Sequence, residues 1–146
     1  MTASLIQENA KWGERLQALV ARLSDKDLAR PVYDGWTVAG LLAHLAFWDG
    51  RVLVLLRKWK KTGVEPSPAD AHVVNDAMRS LLLAIPPRRA AEIALGTADA
   101  VDREIEELDA RLISEIQSKL PEFRLNRGLH RESHIADIEA ALSAKK

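Results

Sequence analysis

The chain has 146 residues, the usual size of one domain, and folding at that length buries roughly two-thirds of the unfolded surface. Lysine plus arginine equals aspartate plus glutamate at 21 each, so no global field attracts nucleic acid or an anionic membrane. Cysteine is absent, which excludes disulfides, thiolate ligands and a cysteine nucleophile, and leaves histidine, carboxylate or water as the ligands of any metal.

The opening MTASLIQENAKWGERL mixes charge with helical spacing and lacks the basic start, apolar middle and cleavage site of a signal peptide. A cytoplasmic location is expected. Leu5, Trp12, Leu16, Leu19, Val20 and Leu23 recur at three- and four-residue steps, the stripe of a first helix. Ser24-Asp25-Lys26-Asp27 reads as a turn with a short capped segment, and Pro31 with Asp34-Gly35 continues the loop. Thr37 is suited to cap a second helix, running to about Lys61 with Leu41, Leu45, Trp48, Val52, Leu55, Leu56 and Trp59 inward. Residues 38–48, the longest nearly uncharged apolar stretch, fall short of the ~20 that span a bilayer, so no membrane helix is expected. Residues 62–69, with Gly63, Pro66 and Pro68, form a linker.

Residues 70–84 make a shorter helix with Val73, Val74, Ala77, Leu81 and Leu82 as its apolar side. A third long helix begins at Pro86-Pro87, its core seam running through Ala94, Ala98, Val101, Ile105, Leu108 and Leu112. After the break at Pro121, residues 126–144 form a last helix with Leu129, Ile138, Ala141 and Leu142 apolar. Four long amphipathic helices, one short one and no alternating strand signal predict an all-α bundle. The long connection before the third helix predicts a crossover containing the short extra helix.

On a helical wheel His44 falls between Leu41 and Trp48 and points into the core. His130 and His134 lie about 40° apart on the stripe continued by Ile138 and Ala141. A lone buried histidine is more often a hydrogen-bonded core residue than a ligand. Two inward imidazoles one turn apart are different: they repel if both are charged and lack partners if both are dry and neutral. A metal resolves both difficulties, with His44 as the inward candidate for a third ligand. His72 shares its face with Asn75, Asp76 and Arg79 and is expected in solvent.

Gly35-Trp36-Thr37-Val38 leading into Leu42-Ala43-His44-Leu45 and Trp48-Asp49, with His130-Arg131-Glu132-Ser133-His134 before Asp137-Ile138, resembles the DinB-like family of metal-binding four-helix bundles. Leu23-Ser24-Asp25-Lys26-Asp27-Leu28 is similar as well, and the resemblance covers nearly the whole chain. It implies a single domain over residues 1–146, an up-down-down-up bundle, and a divalent metal on His44, His130 and His134. Zinc or nickel stands ahead of iron or copper. Characterised members act on different substrates, several with a low-molecular-weight thiol as cosubstrate, so thiol-dependent transfer to a small electrophile, or its hydrolysis, is the implied chemistry.

Three imidazoles leave a coordination position open, as in catalytic zinc sites. A water or thiol taken there would be acidified and presented to the electrophile. Asp137 is placed to receive a ligand's free N–H or to act as a catalytic base; the plainer alternative is a surface or capping carboxylate. Trp48, Asn75 and Arg127 are the candidate substrate-pocket residues, with core packing the plainer role of Trp48 and solvation that of Arg127. The rival reading is a non-catalytic bundle that binds metal or ligand as a homodimer, with Trp59 among the exposed apolar positions available to the interface.

Overall fold

A computed structural model describes residues 2–144, and the chain is mostly helical. Helix α1 (Thr2–Ala21) is followed by a single turn, α2 (Asp25–Leu28), which Ser24 and Asp27 start with a reciprocal capping box. Strands β1 (Pro31–Tyr33) and β2 (Trp36–Thr37) form a small antiparallel ribbon. The sequence pattern, with Pro31 and Asp34-Gly35, predicts only loop here. Its turn residues Asp34 and Gly35 both take positive φ, 47° and 82°, the conformation that matches a tight hairpin to the twist of its strands.

Thr37 ends the ribbon and caps α3 (Val38–Thr62), its hydroxyl accepting the Gly40 N–H at 3.0 Å. By length and composition α3 could cross a membrane, but 67% of its apolar window is buried inside the fold. After the linker comes α4 (Ala71–Leu83), capped by Asp70. The expected apolar side of α4 is only partly its packed side: Val74 and Leu82 are half-buried, whereas Val73 and Leu81 are 61% and 70% exposed. The inward face includes the polar Asn75 and Arg79, both half-buried, because this side of α4 lines two clefts as well as laying Leu82 against the core.

The third long helix is shorter than its seam predicts. α5 (Pro87–Glu106) ends at Glu107, and Asp109 caps a separate helix, α6 (Ala110–Lys119), by accepting the Arg111 N–H at 2.8 Å. The apolar period runs through the break, with Leu108 and Ile113 still buried, so periodicity alone could not reveal it. The last helix is α7 (Gly128–Ser143), where Leu129 is exposed and Ile135 and Ile138 are buried.

Helix α5 packs on α1 and α3, and α7 packs on the same two. Between them, one apolar cluster gathers Leu16, Leu28, Leu42, Ala91 and Ile138, with small alanines along α5 allowing close helix approach. A second cluster, around Val52, Leu56, Val101, Ile105 and Ile116, lies further along α3. Trp59 belongs to the second: it is 2% exposed and meets the Phe123 ring edge-on at 4.8 Å, so it is core rather than interface.

Candidate metal centre

The start of α7 is fixed by α1. Asn9, buried on α1, accepts the N–H groups of Arg127 and Gly128 at 2.8 and 3.2 Å and donates to the Leu125 carbonyl at 3.1 Å. One side chain from another helix thus supplies the cap that α7 lacks locally. Gly128 permits the approach, since a Cβ there would stand 2.8 Å from the Trp12 ring and 3.1 Å from the Glu8 carbonyl.

This docking brings His130 and His134 of α7 to His44 of α3. His130 Nε2 lies 3.0 Å from His44 Nε2 and 3.2 Å from His134 Nε2. Among the described residues this is the one group of histidine and carboxylate side chains placed to share an ion, with its ligand atoms all within 4.8 Å of one another. Nitrogens on a tetrahedral zinc at about 2.0–2.1 Å would be roughly 3.3 Å apart, so the donor set and its spacing fit a single ion.

Electrostatics agree with geometry. Burial, then the neighbouring His134, lowers the His44 pKa to about 4. Burial, with the charges of His134, His44, Arg127 and Arg131 behind it, lowers that of His130 to about 2. Burial also lowers that of His134, against the opposing pull of Asp137. Three neutral imidazoles with converging Nε2 atoms cannot satisfy one another, because a single His130 Nε2 would have to serve both contacts. A cation taking all three lone pairs removes that conflict and puts each proton on Nδ1. At His134 that proton has a receiver: Asp137 Oδ2 lies 3.1 Å from Nδ1. The Nδ1 atoms of His44 and His130 are buried without a hydrogen-bond partner.

Asp137 also accepts the Tyr33 hydroxyl at 2.9 Å. Tyr33 comes from the ribbon, and its pKa is raised to about 12 by burial and then by Asp137. Asp137 faces the outer nitrogen of His134 and is not among the residues that line the two clefts beside it.

Two clefts meet at the histidines, sharing His44, His130 and Asn75. One, of about 390 Å3, is lined also by Trp48, Arg124, Arg127 and Ser133. The other, of about 400 Å3, is lined by Tyr33, Trp36, Asp76, Arg79 and His134. Asn75 accepts the Trp48 indole N–H at 2.9 Å, so two of the three expected pocket residues meet in the lining of the first cleft. His72 is exposed as expected, yet its face turns toward the second cleft and places it on the rim. Trp36 packs edge-on against His44 at 5.6 Å.

Arg127 lines the first cleft but is not a solvated helix-end residue. It is buried and donates from Nε to Asp49 Oδ1 at 2.8 Å. Arg131, 0% exposed, donates to Asp49 Oδ2 at 3.3 Å, to both oxygens of Asp102 at 2.9 Å, and to the Asn9 carbonyl at 3.0 Å. Sequence reasoning missed this network, together with Tyr33 and Trp36. The available signals were charged residues inside apolar stretches, Asp49 above all, and the Asp34-Gly35 hairpin that delivers the two aromatics.

A protein-family model described as the mycothiol maleylpyruvate isomerase N-terminal domain matches residues 10–121. Nothing matches significantly among curated proteins or among solved structures. The matched span includes His44 and stops before α7, so His130 and His134 enter the site through the fold. With more than half of its length matched, the chain belongs to the mycothiol maleylpyruvate isomerase N-terminal domain family, within the DinB-like helical superfamily.

Proposed function

We propose that the chain is a DinB-like metalloenzyme, an up-down-down-up four-helix bundle that holds one divalent ion on His44, His130 and His134. Its reaction is transfer of a low-molecular-weight thiol to a small electrophile, or hydrolysis of that electrophile. The observation that carries this reading is the meeting of three neutral imidazole nitrogens at the junction of two clefts. The name of the matched family, which includes a thiol, supports the choice of cosubstrate.

A bound divalent ion would supply an open coordination position and acidify the water or thiol taken there. The protein does the rest. Asp137 and Tyr33 hold His134 in one tautomer, so its Nε2 lone pair faces the site. The Trp48–Asn75 pair lines the first cleft, Asn75 borders the second as well, and Trp36 shields His44. Each cleft falls in the size range of small-molecule sites, which suits a small electrophile and a cosubstrate arriving side by side.

The test is elemental analysis of untagged protein beside His130→Ala, followed by consumption of a model electrophile with and without thiols. One equivalent of metal, lost in the variant, and a rate that needs metal are expected. A metal-free wild type at micromolar free zinc or nickel would overturn the metal site. Bound metal with equal background rates in every combination would instead favour a non-catalytic binding protein.

A further inference from the structure

The ionic network beside the histidines takes no part in the chemistry above, yet it stands where a cation site least tolerates positive charge. Arg131 follows His130 directly. Arg127 precedes it by three residues, on the same side of α7, and lines the cleft that His44 and His130 share. Guanidinium groups do not lose their proton in proteins, so both charges persist at every working pH. In a poorly solvated interior they would oppose a divalent ion at the neighbouring nitrogens far more strongly than in water.

Their compensation is divided unequally. Asp102 pairs with Arg131 alone and keeps a side chain 21% exposed. Asp49 is 2% exposed and serves both arginines, taking Arg127 Nε on one oxygen and Arg131 Nη2 on the other. It is the one carboxylate hydrogen-bonded to Arg127 among the described residues. It also stands on α3, the helix that carries His44, so the pairing ties the two ligand-bearing helices together at the site.

We infer that Asp49 is the charge shield of the histidine site, offsetting Arg127 and sharing with Asp102 the compensation of Arg131, so that a divalent cation can be held beside the two arginines. The inference rests on the metal reading of the three histidines. Asp49 touches no ligand atom and is a positioning residue. A mechanical tie between α3 and α7 and a charge shield make different predictions: a lost tie is not restored by removing an arginine, whereas a lost shield is.

The experiment measures zinc affinity of the metal-stripped chain by competition with a chromophoric chelator, with circular dichroism to verify folding and the cobalt(II) absorption spectrum to report ligand geometry. Wild type against His130→Ala decides the metal reading by itself: equal zinc binding by the two would overturn it, and the shield with it. Given binding that His130→Ala loses, Asp49→Asn is expected to weaken zinc by roughly tenfold or more, and Arg127→Met alone to tighten it several-fold. The double variant is expected to return to within roughly threefold of wild type, with the cobalt spectrum unchanged. Wild-type affinity in Asp49→Asn, or a double variant no better than Asp49→Asn, would overturn the shield. Should Asp49→Asn not fold, Arg127→Met decides: unchanged or weaker zinc binding refutes the inference.

Discussion

Helices α3 and α4 both border the histidine clefts and are held in opposite ways. α3 is buried along most of its length, sits in both apolar clusters and packs on α5 and α7. α4 has no buried residue, leaves Val73 and Leu81 in solvent and rests on α3 and β2. The division matches what each supplies. His44, whose nitrogen meets two others at the site, comes from the buried wall. Asn75, Arg79 and the rim residue His72, which line and shape the clefts, come from a helix that can move without opening the core.

The largest expected effect lies in α3. Leu56→Ala empties a fully buried position and should cost ~2–5 kcal/mol in urea unfolding, and a loss below ~1 would erase the contrast with α4. The pH dependence of the metal-free protein comes next. His44 titrates near 4 in the fold and near 6.5 when unfolded, so below about 6.5 the unfolded chain takes up a proton that the fold refuses. Stability is then full above that pH and declines as pH falls toward 4. Urea midpoints from about pH 7.5 to 4.5 should fall more steeply for wild type than for His44→Gln, and parallel declines would refute the assignment.

On the α4 side effects shrink. Asn75→Ala should cost ~1 kcal/mol, leave the Trp48 indole N–H without its acceptor, and shift tryptophan emission. An unchanged spectrum would mean that the pair does not form in solution. Leu81→Ser should stay within ~0.5 kcal/mol of wild type. Hydrogen exchange completes the comparison: α4 amides should open at lower free energy than those of α3, and equal protection would show one cooperative unit.

What was legible in the sequence follows the same physics. The long helices announced themselves because their buried stripes repeat at three and four residues, and Ser24 and Thr37 marked two starts through hydroxyls that serve free N–H groups. The three histidines were legible because each sits inside such a stripe. The break after Glu106 was hidden by an apolar period that continues across it. The inward face of α4 was misread since a helix lining a polar cleft need not bury its apolar side. Arg131 and Asp49 escaped because buried charges are recognised by their partners, and those partners lie 82 residues apart.

The three histidines are unevenly spaced along the chain. His44 and His130 stand 86 residues apart, whereas His130 and His134 are neighbours on one helix. An unfolded chain can offer an ion the close pair at little cost, but recruiting His44 means closing the long loop, at about 4 kcal/mol by chain-closure scaling. If the site takes the proposed ion, denatured protein would be a poor competitor for it, and loading would draw the equilibrium toward the folded form by mass action. An ion taken up here would report that two distant stretches of chain have found each other.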